Sequence, residues 1–182
     1  MEELVVLVDE NNNVLRTMPK AEVHGERTPL HRGFSFFLFN LEGKLLLQQR
    51  SSTKKTWPLA WSNSCCGHPG LGETVEDAIR RRLKDELGIG TVEFHMSLPY
   101  RYQFSKDGVM ENEICPVFVG STEEKPTIDP NEVEAIRWVG WKEFLKEIEE
   151  DVDVYSPWCK EEARLLASDP AFAAFVNSLE GV

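Results

Sequence analysis

Between Trp61 and Ile89 the chain reads Trp-Ser-Asn-Ser-Cys-Cys-Gly-His-Pro-Gly-Leu-Gly-Glu and then runs without glycine or proline until Gly88. This stretch leaves the fold few choices. Gly67, Pro69, Gly70 and Gly72 fall within six residues, which predicts a loop that breaks regular structure. Glu73 and Thr74 open a helix and Gly88 stops it. At about 100° per residue, Val75, Ala78, Ile79, Leu83 and Leu87 share one arc, the stripe that a helix buries. Arg82 and Glu86 fall in the middle of that arc. Charged side chains are seldom buried without partners, so the pair is expected to face something specific. The plain alternative is an i,i+4 ion pair on a solvated edge, worth about 0.2–0.5 kcal/mol.

With 182 residues, 41% of them hydrophobic, the chain has apolar material for one full core. A single domain over residues 1–182, with an N-terminal extension and C-terminal helices, is expected. A net charge of −11 argues against a nucleic-acid binder, which needs clustered Lys and Arg. A small anionic ligand fits wherever basic residues are focused, and Arg50, Lys54 and Lys55 are focused just before the central loop. No apolar run approaches the roughly 18 residues of a membrane span, and the N-terminus has no basic-then-apolar signal pattern. A soluble cytosolic protein without membrane insertion is expected. Cys65, Cys66, Cys115 and Cys159 include no Cys-x-x-Cys spacing, so a zinc ribbon does not fit and free thiols are expected.

Taken in order, Leu4 to Val8 reads as a short strand followed by turn chemistry at Asp9 to Asn13. Lys20 to His31 is a polar connector. Phe34 to Phe39 and Lys44 to Gln49 read as a hairpin closed through Asn40 to Gly43. Beyond the central helix, Thr91 to Phe104 and Val109 to Val119 read as two strands turning at Ser105 to Gly108. With a period of two, Val109, Glu111, Glu113, Cys115, Val117 and Val119 share a face, so two carboxylates sit on an apolar surface. Ala135 to Val139 is a further strand and Trp141 to Glu149 an outer helix. Ser156-Pro157 and Asp169-Pro170 each look like an N-cap followed by proline at the first helical position. The alternation is too irregular for successive βαβ units, so an α/β (α+β) fold is expected, a mixed β-sheet sandwich with flanking helices.

Gly67, five residues, Glu73, seven residues and then Arg81-Arg82-Leu83-Lys84-Asp85-Glu86-Leu87-Gly88-Ile89 resembles a Nudix box, the loop-helix motif that holds a metal-bound diphosphate. Arg82 and Asp85 stand where Nudix hydrolases usually carry Glu, while Glu86 is unchanged. The resemblance therefore implies a site able to hold a diphosphate through one metal and less suited to hydrolysing it. Trp57-Pro58, Ser62 through Pro69, Tyr100-Arg101-Tyr102, Glu111 through Phe118 and Ser156-Pro157-Trp158 extend the likeness. Together they resemble the type 1 isopentenyl-diphosphate isomerases of the Nudix superfamily, from about residue 4 to about residue 165.

That resemblance implies a Nudix-like fold and reversible conversion of isopentenyl diphosphate to dimethylallyl diphosphate in isoprenoid biosynthesis. By position it implies catalytic roles for Cys66, Glu113, Tyr102 and Trp158. It implies a metal site of His24, His31, His68, Glu111 and Glu113 for Mn²⁺ or Zn²⁺, and Mg²⁺ with the diphosphate at Glu86 and the Cys66 backbone carbonyl. Basic contacts fall to Lys20, Arg50, Lys54 and Arg82. Moving an unactivated double bond requires protonation at the terminal carbon, a tertiary carbocation, and loss of a proton from the adjacent methylene. Glu113 with Tyr102 is the expected donor. Cys66 as thiolate is the expected base, favoured by the glycine-rich loop before the helix. Trp158 offers the cation an indole face, worth about 0.5–2 kcal/mol. Cys65 and His95 are given no role. Two other readings stand beside this one: a Nudix hydrolase of a small diphosphate, and a catalytically silent metal-binding or interaction domain.

Overall fold

Strands pair into two mixed sheets in the computed structural model, which describes residues 3–150 and 153–180. The first sheet holds, in spatial order, β2 (Val14–Pro19), β1 (Leu4–Val8), β3 (His31–Arg32), β10 (Val109–Ile114) and β9 (Arg101–Lys106). The second holds β12 (Val133–Gly140), β5 (Lys44–Arg50), β4 (Phe34–Asn40), β11 (Val117–Thr122) and β8 (Glu93–Leu98). Two short strands complete it, β6 (Trp61–Ser62) on β5 and β7 (Cys65–Gly67) on β4. The helices are α1 (Lys20–Val23), α2 (Val75–Leu87), α3 (Trp141–Glu150), α4 (Pro157–Ala167) and α5 (Pro170–Glu180). This is the mixed α+β architecture that the sequence predicts.

The second sheet is covered on both faces, and β4 shows why. Phe34, Phe36 and Leu38 pack under Ala78, Ile79, Leu83 and Leu87 of α2. Phe37 and Phe39 face the other way, onto Trp141 and Phe144 of α3, Ala163 of α4 and Phe172 of α5. A strand buried on both faces reads as a continuous apolar run. Each such side chain contributes about 1.5–3 kcal/mol relative to exposure. The helix α2 has the ends its sequence predicts. The Thr74 hydroxyl accepts the Asp77 N–H at 3.1 Å, and Gly88 closes it with a left-handed φ of 66°.

The expected hairpin closes only at its turn. Phe39 pairs with Leu45, and the two strands then diverge. Residues 61–67 fill the gap: Ser62 and Trp61 pair with Gln48 and Gln49 of β5, and Cys65–Gly67 pair with Phe34–Phe36 of β4. The glycine-rich stretch therefore supplies two short strands before its loop. Ser, Asn, Cys and Gly have little strand propensity of their own, so tertiary pairing decides this and fixes the Cys66 backbone.

The two strands expected over 91–104 and 109–119 are four. Pro99 and Pro116 have no N–H to give a ladder, and at each the chain passes between sheets, β8 and β11 lying in the second and β9 and β10 in the first. The period-two face survives the crossing, because Glu111, Glu113, Cys115, Val117 and Val119 are all buried. Val14–Pro19 is a further strand, the sheet edge β2, whose side chains, none of them buried, do not alternate and so gave no signal. Ser156 precedes Pro157 as expected, but its hydroxyl bonds Ser62 rather than capping α4. Asp169 does cap α5, accepting from the Ala171 and Phe172 N–H groups. The four cysteines are free, and His95 is a packed residue, against Phe175 and bonded to Ser121. No helix among the described residues is long and apolar enough to cross a membrane.

Candidate active site

Three segments far apart in sequence meet beside the first sheet. His24 is the residue after α1, His31 of β3 is the register partner of Glu113 on β10, and His68 follows β7. Ligand atoms of His24, His31, His68 and Glu113 all lie within 4.8 Å of one another, and three of these residues are buried. Glu111 joins through His24, its Oε2 standing 2.9 Å from His24 Nε2. All five residues assigned to a metal by resemblance are thus brought together.

Hydrogen bonding tests whether a cation fits. His31 Nδ1 donates to the Pro29 carbonyl at 2.9 Å, so Nε2 presents a lone pair, 3.2 Å from Glu113 Oε1. His24 Nε2, His31 Nε2, His68 Nδ1 and Glu111 Oε2 are all buried without a hydrogen-bond partner. Leaving such atoms unpaired costs about 1–3 kcal/mol each. Imidazole and carboxylate lone pairs converging in a dry interior suit a divalent metal, so the described residues fit one. Burial opposes ionisation of Glu113, yet His31 and His68 outweigh it and hold that carboxyl well below the usual range. The expected proton donor is therefore a carboxylate here. The proton on this side sits on Tyr102, its cross-strand partner, whose hydroxyl is pushed well above its ordinary value by burial and by Glu113.

Cys66 reaches the same cavity from β7. Its thiol donates to Asn63 Oδ1 at 3.2 Å and stands 3.6 Å from Ser35 Oγ. The Asn63 amide cannot turn, because Nδ2 donates to the carbonyls of Phe36 and Cys65 while Oδ1 also accepts from the Ser62 hydroxyl. Ser62 in turn accepts the Trp158 indole N–H at 3.1 Å. One polar chain thus orients the thiol and the indole together. Trp158 stacks on Tyr102 with ring centroids 5.9 Å apart, meets Trp57 edge-on, and carries the Arg50 guanidinium 5.4 Å from its ring.

The thiolate expected at Cys66 is not what this setting provides. Burial first, and Glu162 second, push the thiol up to about 12, against smaller opposing effects of Ser35, Asn63 and Arg50. Cys66 lies in a strand, and α2 begins only at Val75, so no helix N-terminus stands directly behind the sulfur to favour its charge.

A cavity of about 460 Å³ joins these groups and is rimmed by Lys20, Arg50, Lys54 and Arg82. Each cation is already held. Lys20 pairs with Glu3 at 2.9 Å, Arg50 donates to the Thr56 carbonyl, Lys54 pairs with Glu132, and Arg82 pairs with Glu86 and, at 2.9 Å, with Glu132. Arg82 and Glu86 are thus the i,i+4 pair, but buried rather than solvated. Removing one partner of a buried pair costs about 3–5 kcal/mol. Arg82→Ala is accordingly expected to lower the unfolding free energy of the metal-free protein by that much, read from a urea titration by fluorescence, and an unchanged midpoint and slope would show Glu86 to be solvated.

Sequence reasoning missed Ser35, Asn63, Glu132 and Glu162. Asn63 lies three residues before Cys66 in a run already singled out, which was a usable signal. Nothing local marks the other three.

Known proteins resemble this chain over most of its length. The chain matches the NUDIX domain family over residues 29–159. A Mycolicibacterium vanbaalenii protein named isopentenyl-diphosphate Delta-isomerase is 43% identical over 166 residues, covering 90% of this chain and 91% of its own length. Proteins of the same name are 42% identical in Saccharopolyspora erythraea, covering 88% and 84%, and 42% identical in Rhizobium rhizogenes, covering 91% and 80%. Among solved structures, a Deinococcus radiodurans protein superposes with a TM-score of 0.70 at 23% identity, covering 90% of this chain and 98% of that one. A MutT NUDIX hydrolase from Burkholderia pseudomallei gives 0.56 at 17% identity, covering 74% and 96%. At such identities the structural likeness establishes the fold.

Proposed function

The chain belongs to the Nudix family and, within it, to the isopentenyl-diphosphate Delta-isomerases, and from that membership we propose how its own residues carry the reaction. It interconverts isopentenyl diphosphate and dimethylallyl diphosphate. The observation that carries the assignment is one cavity lined by Cys66, by the Tyr102 and Glu113 pair, and by the Trp158 ring. A proton leaves the Tyr102–Glu113 side for the terminal methylene carbon, whose π pair forms the new C–H bond and leaves a tertiary cation. The faces of Trp158 and Tyr102 stabilise that cation without offering a nucleophile. Cys66 rests as a thiol, so its proton is first lost to water; Sγ, then a thiolate, takes a proton from the neighbouring methylene, and the released C–H pair becomes the new double bond.

Lys20, Arg50, Lys54 and Arg82 bind the diphosphate, exchanging Glu3 and Glu132 for phosphate oxygens. Glu86 and the Cys66 carbonyl would hold Mg²⁺ with the diphosphate, and His24, His31, His68, Glu111 and Glu113 would hold Mn²⁺ or Zn²⁺, which would supply charge neutralisation and a fixed positive charge beside the proton donor. Five protein ligands exceed the usual tetrahedral zinc set, which favours Mn²⁺. Free cysteines support a reducing cytoplasmic setting, and an acidic chain with a focused basic rim supports a small-molecule substrate rather than nucleic acid. Residues 1–182 are read as one Nudix-type domain with an N-terminal extension and C-terminal helices. Arg82 in place of a glutamate, paired with Glu86, supports isomerisation over hydrolysis.

Proton NMR of isopentenyl diphosphate in deuterated water, with protein, Mg²⁺ and Mn²⁺, tests this. Dimethylallyl diphosphate carrying deuterium in its methyl groups, with no phosphate released, is expected. Phosphate or a monophosphate with the olefin unmoved would mean a hydrolase, and an unchanged spectrum would mean a silent domain.

A further inference from the structure

Lys54 and Arg82 are bridged by a single carboxylate oxygen. Glu132 stands immediately before β12, and its Oε2 accepts from Lys54 Nζ and, at 2.9 Å, from the Arg82 guanidinium. All three side chains line the cavity. An anionic oxygen shared by an ammonium and a guanidinium is also what a phosphate group would offer the same two cations. Glu132 Oε2 thus holds the position of a phosphate oxygen. Lys20 repeats the pattern with Glu3 at 2.9 Å, whereas Arg50 donates to the neutral Thr56 carbonyl.

Glu132 can let go of the two cations but cannot move far from them. Its side chain is 29% exposed, so water can take over its oxygens. Its backbone is pinned, because the N–H donates to the Asp129 carbonyl at 3.0 Å and the carbonyl accepts the Ser51 N–H at 3.1 Å. A displaced Glu132 therefore stays at the mouth of the site as a negative charge. Like charges repel more strongly at a partly buried rim than in open water. An anion that arrives alone meets this repulsion in full, whereas one that arrives on a divalent cation carries the charge that offsets it. Discrimination of this kind comes from a repulsive group placed against the wrong ligand. We propose that Glu132 is a specificity-determining residue, an internal anion that yields its place between Lys54 and Arg82 to a metal-bound diphosphate in preference to free phosphate or pyrophosphate. The role rests on the reading of this rim as the diphosphate site.

Titration calorimetry of the Mn²⁺-loaded protein with inorganic phosphate and with pyrophosphate, each with and without added Mg²⁺, tests this in wild type, Glu132→Gln and Glu132→Ala. Arg82 keeps Glu86 in both variants, so the fold should persist. Without Mg²⁺, pyrophosphate is expected to bind both variants about tenfold to a hundredfold more tightly than wild type, the worth of a hydrogen bond between charged groups. Inorganic phosphate should gain in the same direction. With Mg²⁺ the gain should be several times smaller, so that the preference for the metal-bound anion narrows. In the infrared, pyrophosphate should shift a carboxylate stretch in wild type, and that shift should be missing from Glu132→Gln. A Glu132 that merely held the two cations in place would give the opposite sign, weaker binding in both variants, and that result overturns the proposal. An equal gain with and without Mg²⁺ overturns the selectivity, and a wild type that binds no pyrophosphate even with Mg²⁺ overturns the reading of the rim and this role with it. Affinities that follow the expected pattern in a protein that moves no double bond support the role of Glu132 and overturn the isomerase reading alone.

Discussion

Cys66→Ala is expected to leave about a thousandth of the wild-type kcat, because a positioned acid or base contributes about 10²–10⁴. The loss should be chemical rather than structural. The Cys66 backbone is held by pairing to β4, and Asn63 Oδ1 keeps the Ser62 hydroxyl when the thiol is gone. Trp158 therefore stays on Ser62, and the melting temperature should change little. Cys66→Ser is the sharper comparison. Its hydroxyl can donate to Asn63 as the thiol does, but it gives up its proton far less readily, so it should be nearly as slow as Ala while binding substrate normally. Rates read by NMR and KM read separately decide this. Near-full turnover in Cys66→Ala would move the base to another group and end the assignment made here.

Cys66 does not rest as the expected thiolate, for a reason that also marks the limits of sequence reading. Cys66 is near the helix along the chain, which suggested a helix N-terminus behind the sulfur. In space, residues 61–67 are drawn into the gap between β4 and β5, and the sulfur instead lies near Glu162, almost a hundred residues further on. The helix α2 was legible because its cap, stripe and stop are all local. The metal residues were legible because their motifs mark them, although nothing in their spacing brings His24 to His31. The crossings at Pro99 and Pro116 were hidden because alternation continues unbroken through both. Glu132 and Glu162 were hidden because a glutamate on a polar stretch or a terminal helix looks like any solvated acid, and only their neighbours from other elements make them otherwise.

Gly33→Ala should remove metal binding and activity together, though Gly33 is neither ligand nor acid. A Cβ at this position would stand 1.9 Å from Glu113 Oε2 and 2.7 Å from its Cδ, far inside contact distance. The backbone cannot retreat, because the Gly33 N–H donates to the Ile114 carbonyl at 2.9 Å and β3 is paired to β10 through Glu113 itself. The carboxylate must swing instead. It is wedged against His31 at 3.2 Å and His68 at 3.1 Å, so any swing breaks the ligand set. Loss of a group that merely orients a metal ligand costs about 10–100-fold in affinity. Displacing the ligand itself should cost at least that for Mn²⁺, read by titration calorimetry and metal content, with kcat falling by about 10³ as for loss of an acid. The other close contact of that Cβ is Cys115 Sγ at 3.4 Å, an ordinary distance, so the fold should persist. Shortening the carboxylate by one methylene should make room, and Gly33→Ala combined with Glu113→Asp should recover part of the Mn²⁺ affinity. Wild-type metal content and turnover in Gly33→Ala alone would mean that Glu113 works from a position other than the one described. The requirement for glycine here is set by a side chain eighty residues away along the chain, which is why no turn or cap signal around Gly33 reveals it.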